Sequence, residues 1–180
     1  REYFMVKVMT FIDGTWLYLS TPKLSEDYGV REFHIDYGKL PRILKQKITE
    51  RLGISELDIV RTHLFGSNAV NYDWRDEEIV QARSDFFDML KEEHHYEVEI
   101  YSVNFRKRRI RRSDRDPSDD FEPREKCVDI ALATSMLFHA TVSNAYDVAL
   151  AIIGDRDYIP LLQCVRRLGK RVVIASIRQN

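Results

Sequence analysis

The sequence predicts an α/β fold, a three-layer α/β/α sandwich with a central, mostly parallel sheet of about five strands. Short apolar runs recur along the chain, and each has the length of a strand that is buried on both faces. Amphipathic helical patterns lie between these runs. Because parallel strands need crossover connections and helices supply them, this alternation predicts a parallel sheet covered by helices. The 180 residues suffice for one sizeable core, so we expect a single domain over 1–180.

The chain begins with a predicted strand at 6–12, which is almost wholly apolar. A helical turn is expected to begin at Thr15. The stretch 20–33 is polar and contains proline and glycine, so it is predicted as a connection. Leucine and isoleucine then recur at helical spacing over 36–52, and the pattern stops at Gly53, a typical helix C-cap.

The middle of the chain repeats this order. Residues 57–65 are rich in apolar and β-branched side chains and are predicted as a strand, followed by a loop over 66–74. An amphipathic helix is expected over 75–93, because its apolar residues fall on one face. Residues 96–103 alternate between polar and apolar, which is typical of an edge strand.

The last third completes an expected total of five strands and about four full helices. An apolar helical pattern runs over 123–139, and the unbroken apolar run 148–153 predicts a strand buried on both faces. A helix is expected over 158–168, and the β-branched run 171–176 predicts the last strand.

A strongly charged segment separates the third strand from the helix at 123–139. Residues 106–112, RKRRIRR, carry six basic side chains, and 113–122 are mainly acidic. No apolar period continues through them, so they are predicted to form a loop or flexible arm, an insertion at about 105–123.

Composition narrows the class of protein. The formal net charge is −1, so only local charge can indicate a nucleic-acid partner, and 44% of residues are hydrophobic, as in globular proteins. The two cysteines, Cys127 and Cys164, have no regular spacing and are predicted to be buried and reduced. The sequence has neither a signal peptide nor an apolar run of membrane length, so we expect a cytoplasmic protein without a membrane partner.

Acidic residues follow two of the predicted strands. Asp13 ends the first strand, and Asp155 and Asp157 follow the fourth, with one residue between them. The carboxyl ends of parallel strands form the crevice where α/β proteins bind ligands, so these side chains are expected to meet there. Asp129 is a fourth candidate, because it lies in an otherwise apolar helical turn.

Plainer explanations exist for each of these residues. Asp157 can cap the following helix, Asp155 can be a turn residue, and Asp129 can occupy a solvated helix position. If three or four carboxylates do share a site, they repel one another unless a cation is present, and Mg²⁺ or Mn²⁺ prefers such oxygen ligands. A metal ion held there can promote hydrolysis of a phosphodiester. The five histidines form no cluster suited to zinc.

The basic segment suits contacts with the phosphates of RNA, which bring affinity without sequence choice. Pairing with the acidic residues that follow it is an equally good explanation. The candidate RNA-binding residues are Arg106, Lys107, Arg108, Arg109, Arg111, Arg112 and Lys126. Aromatic side chains in or near predicted loops at the same edge could stack on unpaired bases. They are Phe65, Tyr72, Trp74 and Phe105.

Three stretches resemble the NYN domain, a branch of the PIN-like ribonuclease superfamily. They are FIDG near the start, KCVDIALA in the middle, and IIGDRDY followed by PLL and LGKRVVI, and together they extend from about Val6 to Ala175. The resemblance implies a PIN-like fold, an Mg²⁺ or Mn²⁺ site and metal-dependent endoribonuclease activity on RNA that is single-stranded or has unpaired bases. Its acidic catalytic and metal-binding positions correspond to Asp13, Asp129, Asp155 and Asp157.

Two positions depart from the family pattern. Trp16 stands where the family usually has Asn, and Ser135 where it commonly has a second acid. Ser135 could contact a metal ion through a water molecule but is a poor direct ligand. A second hypothesis is therefore a catalytically weak or inactive NYN-type domain that binds RNA or a protein. The sequence leaves a homodimer open.

Overall fold

The structure, a computed structural model, describes residues 5–177 and contains one five-stranded sheet. All neighbouring strands are parallel, in the spatial order β3-β2-β1-β4-β5, which confirms the predicted fold class. The strands are β1 (Val6–Asp13), β2 (Leu57–Val70), β3 (Glu97–Asn104), β4 (Val148–Ile152) and β5 (Arg171–Ala175).

Five α-helices lie within the described residues and cover both faces of the sheet. They are α1 (Gly14–Tyr28), α2 (Leu40–Leu52), α3 (Glu77–Glu92), α4 (Val128–Thr141) and α5 (Ile159–Arg167). Apolar residues of α4 and α5 pack on one face, against Met9 and Phe11 of β1. Residues of α1, α2 and α3 pack on the other face, which Val8 and Ile12 of β1 line. Because β1 contributes side chains to both layers, its apolar run is continuous rather than alternating.

The positions of β1 and β4 bring two of the predicted acidic segments together. β1 pairs with β2 on one side and with β4 on the other, and Ile12 lies opposite Ile152 in the β1–β4 pair. Asp13 therefore ends β1 at the same edge of the sheet at which the chain leaves β4 toward Asp155. The carboxyl ends of β1 and β4 are therefore adjacent in the middle of the sheet.

Several element boundaries differ from the predictions. Helix α1 continues through Pro22 to Tyr28, whereas we expected a polar connection over 20–33; it ends where Gly29 adopts the left-handed conformation. Strand β2 continues to Val70 through the predicted loop, because Gly66–Val70 pair with β3. Helix α4 begins at Val128, five residues later than expected, after Cys127 with a positive φ of 79°.

The cysteines and the charged segment also differ from expectation. Cys127 and Cys164 are free thiols, but both are exposed rather than buried, since one precedes α4 in a loop and the other lies on the outer side of α5. The charged segment forms a loop with a short 3₁₀ helix at Arg112–Asp114, and hydrogen bonds tie many of its side chains together. No helix in the described part of the chain is both long and apolar enough to cross a membrane.

Candidate functional site

Asp13 is a buried carboxylate at the carboxyl end of β1. It is only 6% exposed, and its Oδ1 accepts a hydrogen bond of 2.8 Å from the backbone N–H of Trp16, so that it also caps α1. The next residue has to be glycine, because a Cβ on Gly14 would lie 2.8 Å from the carbonyl oxygen of Phe65. The chain thus turns from strand to helix directly against β2, with Asp13 at the turn.

Tyr158 connects Asp13 with Asp129. Its hydroxyl lies 2.7 Å from Oδ1 of Asp129 and 3.2 Å from Oδ2 of Asp13, and its ring is buried. A phenol carries one proton and donates it to one carboxylate at a time. Burial and the two neighbouring carboxylates raise the pKa of Tyr158, so the phenol stays protonated. Tyr158 is the last residue of the stretch IIGDRDY that carries the family resemblance, but no role at the site was predicted for it.

The environment of Asp13 favours its protonated form. Burial is the main cause that raises its pKa from 3.8 to about 6, and the nearby charges of Asp129 and Glu125 act in the same direction. Hydrogen bonds from the backbone N–H of Trp16 and from the Tyr158 hydroxyl lower the pKa and offset part of this effect. A cation beside these carboxylates would lower the pKa of Asp13, because it would favour the charged form.

Glu125 is a further carboxylate that the sequence did not single out. It lies in the loop before α4, and its Oε2 accepts a hydrogen bond of 2.6 Å from the Thr15 hydroxyl and another from the Ser67 hydroxyl. Thr15 is in the first turn of α1, and Ser67 belongs to the extension of β2. Glu125 thus links three segments beside Asp13. The only signal in the sequence was its position four residues before Asp129.

Asp155 and Asp157 follow β4 on the exposed side of the same edge. Oδ1 of Asp155 accepts a hydrogen bond of 2.9 Å from the backbone N–H of Asp157, so Asp155 caps the short 3₁₀ helix Arg156–Tyr158. This contact corresponds to the plainer explanation of Asp155 as a turn residue. Both side chains are exposed, and the turn they form places Tyr158 between Asp13 and Asp129.

Trp16 packs against the glycine that precedes Asp155. A Cβ on Gly154 would overlap the indole ring, so only glycine fits beneath it. The indole Nε1 is buried and has no hydrogen-bond partner within the described residues. Trp16 also lines a largely apolar cavity of about 400 Å³ between α1, α2 and the ends of β4 and β5. The residue at the family's Asn position therefore fills space beside the acidic site.

The side-chain oxygens at this edge are of the type that binds a hard cation, but they do not form a closed set of ligands. Within residues 5–177, no three His, Cys, Asp or Glu side chains are grouped closely enough to hold a metal ion as they stand. Asp13 and Asp129 share the Tyr158 hydroxyl, and Glu125 is occupied by two hydroxyl groups. Carboxylate and hydroxyl oxygens are nevertheless the ligands that Mg²⁺ and Mn²⁺ prefer.

Ser135 lies away from this cluster. It lines a groove on α4 together with Tyr101, and its hydroxyl is 3.5 Å from Nδ1 of His139. Asp129, in the first turn of the same helix, instead contacts Tyr158. The structure thus places Ser135 and Asp129 in different surroundings.

Two of the predicted RNA-binding residues are engaged in internal ion pairs. Arg109 contacts Asp76 at 2.8 Å and Asp114 at 3.1 Å, and Arg108 contacts Asp119 at 3.0 Å. For these two arginines, the structure agrees with the alternative explanation, in which they pair with acidic residues of the protein itself. Arg112 donates only to backbone carbonyl groups, and Arg106, Lys107, Arg111, Arg112 and Lys126 are exposed.

Arg115 holds the charged loop in shape, although no sequence pattern distinguishes it from its basic neighbours. Its guanidinium donates to the carbonyl oxygens of Arg109, Ile110 and Phe121 at 2.6, 3.0 and 2.7 Å. It also lies over the rings of Phe105 and Phe121. Of the four aromatic candidates for base stacking, Phe65 and Phe105 are buried, whereas Trp74 is 80% exposed.

The protein is an α/β domain whose all-parallel sheet lies between two layers of helices. Carboxylates at the ends of two neighbouring strands place its candidate site at the carboxyl edge of the sheet. The chain belongs to the NYN domain family, which matches residues 7–180. This family groups with the PIN-like nucleases, so the resemblance expected from the sequence motifs is confirmed.

One solved structure supports the fold. A protein of unknown function from Vibrio parahaemolyticus matches with a TM-score of 0.51 and 15% sequence identity, over 98% of this chain and 85% of that chain. At this identity the likeness concerns the fold alone. No protein with a curated description matches the chain.

Proposed function

We propose that residues 1–180 form a single NYN domain that acts in the cytoplasm as a metal-dependent endoribonuclease. The observation that carries this proposal is the contact of Asp13 and Asp129 through the buried Tyr158 at the carboxyl edge of an NYN fold. Asp13 is withdrawn from water and close to other negative charges, which is the setting in which a carboxylate gains most from a cation.

Asp13, Asp129, Asp155 and Asp157 would hold Mg²⁺ or Mn²⁺, with Glu125 as an additional ligand. Bound there, the ion would stabilise charge that develops on the phosphodiester and make water more acidic. Tyr158 orients Asp13 and Asp129 and holds its proton between them. The hydroxyl groups of Thr15 and Ser67 fix the direction of Glu125. Ser135, which faces the groove of α4, would take part only through water.

RNA is the proposed substrate, and exposed basic side chains would bind its phosphates. Arg106, Lys107, Arg111, Arg112 and Lys126 are accessible for this purpose. Arg108 and Arg109 would act mainly by holding the loop, because their guanidinium groups already pair with Asp119 and Asp76.

The first experiment is cleavage of a labelled single-stranded RNA in the presence of Mn²⁺, Mg²⁺ or EDTA. We expect cleavage with either metal, none with EDTA, and a loss of at least about a hundredfold in Asp13→Asn and Asp155→Asn. Both variants keep an amide oxygen that can accept the capping hydrogen bond, so the fold should survive. Wild-type rates in either variant would refute the site.

A catalytically weak or inactive domain that binds RNA or a protein is the second candidate. Trp16 favours this second candidate. Its indole ring packs against Gly154, whereas the family usually has the side-chain amide of Asn at position 16. This candidate predicts that RNA binds without being cut in any metal. Replacing Trp16 with Asn would then raise cleavage from background, whereas in an active nuclease it would change the rate only moderately.

A further inference from the structure

Trp74 is an exposed aromatic side chain that the proposed catalytic residues do not use. At 80% exposure it has the most accessible large hydrophobic side chain among residues 5–177. It lies in a 3₁₀ turn, Trp74–Asp76, between β2 and α3. A tryptophan placed so far from the core contributes little to stability and is well suited to bind a partner.

The backbone on both sides of Trp74 is fixed to the charged loop. On one side, the N–H of Asp73 donates to the carbonyl of Arg108 at 3.0 Å. On the other, the buried carboxylate of Asp76 accepts hydrogen bonds from Arg109 Nε at 2.9 Å and from Ile110 N–H at 2.6 Å. Trp74 and the loop therefore form one unit, in which little conformational entropy is left to lose on binding.

The loop that is bonded to the residues on both sides of Trp74 also carries exposed cations. Arg106, Lys107, Arg111 and Arg112 are exposed and make no ion pair within the described residues. Exposed cations next to an aromatic face match a single-stranded nucleic acid, whose phosphates pair with the cations while a base stacks on the ring. A purely apolar partner would leave these cations without counter-charge.

This unit lies beyond the end of the strand next to Asp13, which forms an acidic cluster with Glu125 and Asp129. Phe65 of β2 lies opposite Asp13, and β2 continues for five more residues to Val70 while paired with β3. This extension reaches about 16 Å beyond the level of Asp13. Single-stranded RNA in a stacked form covers that distance with about five nucleotides.

We propose that Trp74 and the four exposed cations form a stacking platform for an unpaired base of RNA, several nucleotides away from the bond that is cut. The platform deepens the proposed ribonuclease function and rests on it for the identity of the ligand. On this proposal, a preference for unpaired RNA comes from a fixed part of the fold that lies outside the proposed catalytic residues.

The test measures binding without cleavage, in EDTA and with Asp155→Asn as the parent protein. The probes are a labelled uridine oligomer of about a dozen nucleotides and an abasic ribose-phosphate oligomer of the same length. We expect Trp74→Ala to weaken binding of the uridine oligomer about tenfold and to leave the abasic oligomer unchanged. Phe138→Ala is the matched control, because Phe138 is 61% exposed on α4 and distant in the chain from the charged loop.

A second measurement uses the fluorescence of the platform itself. The chain has two tryptophans, so Trp16→Phe leaves Trp74 as the only one. Stacking of a base should quench its emission with the uridine oligomer and not with the abasic one. Replacing the four cations with Gln should weaken both oligomers and flatten the salt dependence.

The outcomes separate the platform from the enzyme. Equal binding of uridine oligomer by the parent and Trp74→Ala proteins, with no quenching, would overturn the platform while metal-dependent cleavage could still stand. Trp74-dependent binding in a protein that never cleaves RNA would support the platform and refute the nuclease. Absence of any RNA binding would overturn the platform and direct attention to a protein partner.

Discussion

Asp13 combines two roles that place opposite demands on its charge. As a helix cap it accepts a hydrogen bond from Trp16 N–H, yet it is buried beside two other carboxylates. Its protonated form can donate to the Tyr158 oxygen, whereas its ionised form competes with Asp129 for the single phenolic proton. Without a cation, the residue is therefore divided between the two forms near pH 6, the value to which its pKa is raised.

This conflict predicts an unusual dependence of stability on pH. The folded-state pKa of Asp13 is raised from 3.8 to about 6, so the folded protein retains a proton that the unfolded chain releases. In EDTA, the contribution of Asp13 to the free energy of unfolding should fall as the pH rises from about 4 to about 6, by an amount on the order of 2–3 kcal/mol. His63, whose pKa burial lowers from 6.5 to about 4, contributes in the opposite direction over this range, so the Asp13 effect is the difference between the wild type and a variant without that carboxyl group. Urea unfolding across this range measures it.

Asp13→Asn should remove that decrease, since an amide does not titrate and still caps α1. Asp120→Asn, at an exposed position in the charged loop, is the control and should keep the wild-type slope. If the Asp13→Asn variant and the wild type showed the same slope, the raised pKa of Asp13 would be wrong.

Trp16 and Gly154 form a second tightly coupled pair. Gly154→Ala places a methyl group inside the space of the indole, and we expect a loss of about 1–3 kcal/mol in the free energy of unfolding. Trp16→Leu should relieve most of this cost in the double variant, and urea unfolding of the four proteins gives the coupling energy. Simple additivity of the two single changes would show that the ring has room to move away.

At the scale of elements, the charged loop depends on one buried carboxylate. Burial alone would raise the pKa of Asp76, but hydrogen bonds from Arg109 and Ile110 hold it below its usual value. Arg109→Met would leave this carboxylate without its ion pair. We expect the variant to lose about 3 kcal/mol of stability and the loop to exchange its amide hydrogens faster.

The matched change, Arg111→Met, removes an exposed charge from the same loop. Its effect on stability should stay within about 0.5 kcal/mol, while RNA binding weakens. Equal losses of stability in the two variants would mean that Asp76 does not anchor the loop.

The sequence predicts the ends of helices and strands where local residues mark them, and not where pairing with a distant strand determines them. Apolar runs locate four of the five strands, alternation locates β3, and glycine marks the end of α2 at Gly53 as expected. Pro22 favours a connection on local grounds, but α1 accommodates it near its middle. The polar end of β2 escapes prediction because pairing with β3, rather than local composition, makes Gly66–Val70 a strand.

The candidate site is predictable to the extent that strand ends reveal it. Asp13 and Asp155 are found because acids directly follow or end apolar runs in the sequence. Tyr158, Glu125 and Thr15 are missed, because their partners are distant in sequence and only the fold brings them together. No local pattern separates Glu125 and Thr15 from ordinary polar residues, and Tyr158 belongs to the IIGDRDY stretch without its role being evident there.

Metal binding should increase the stability of the folded protein. Mn²⁺ in excess binds only the folded arrangement of carboxylates and should raise the unfolding temperature by several degrees, reversibly with EDTA. Asp13→Asn should abolish the shift and Glu125→Gln should reduce it. An unfolding temperature that is the same in Mn²⁺ and in EDTA would contradict a metal site at this edge.

The order of strands has a consequence for how the protein is made. β1 is the middle strand and leaves the ribosome before the other four, but β4, one of its two neighbours, begins only at Val148. The link at the start of this pair, from Lys7 N–H to the Asp147 carboxylate at 2.8 Å, joins residues that are 140 positions apart. A nascent chain that stops short of Asp147 leaves one edge of β1 open, and such edges invite mispairing with other chains. The acidic cluster is therefore completed only after β4 and Tyr158 have been made, so that a product truncated before them cannot possess it.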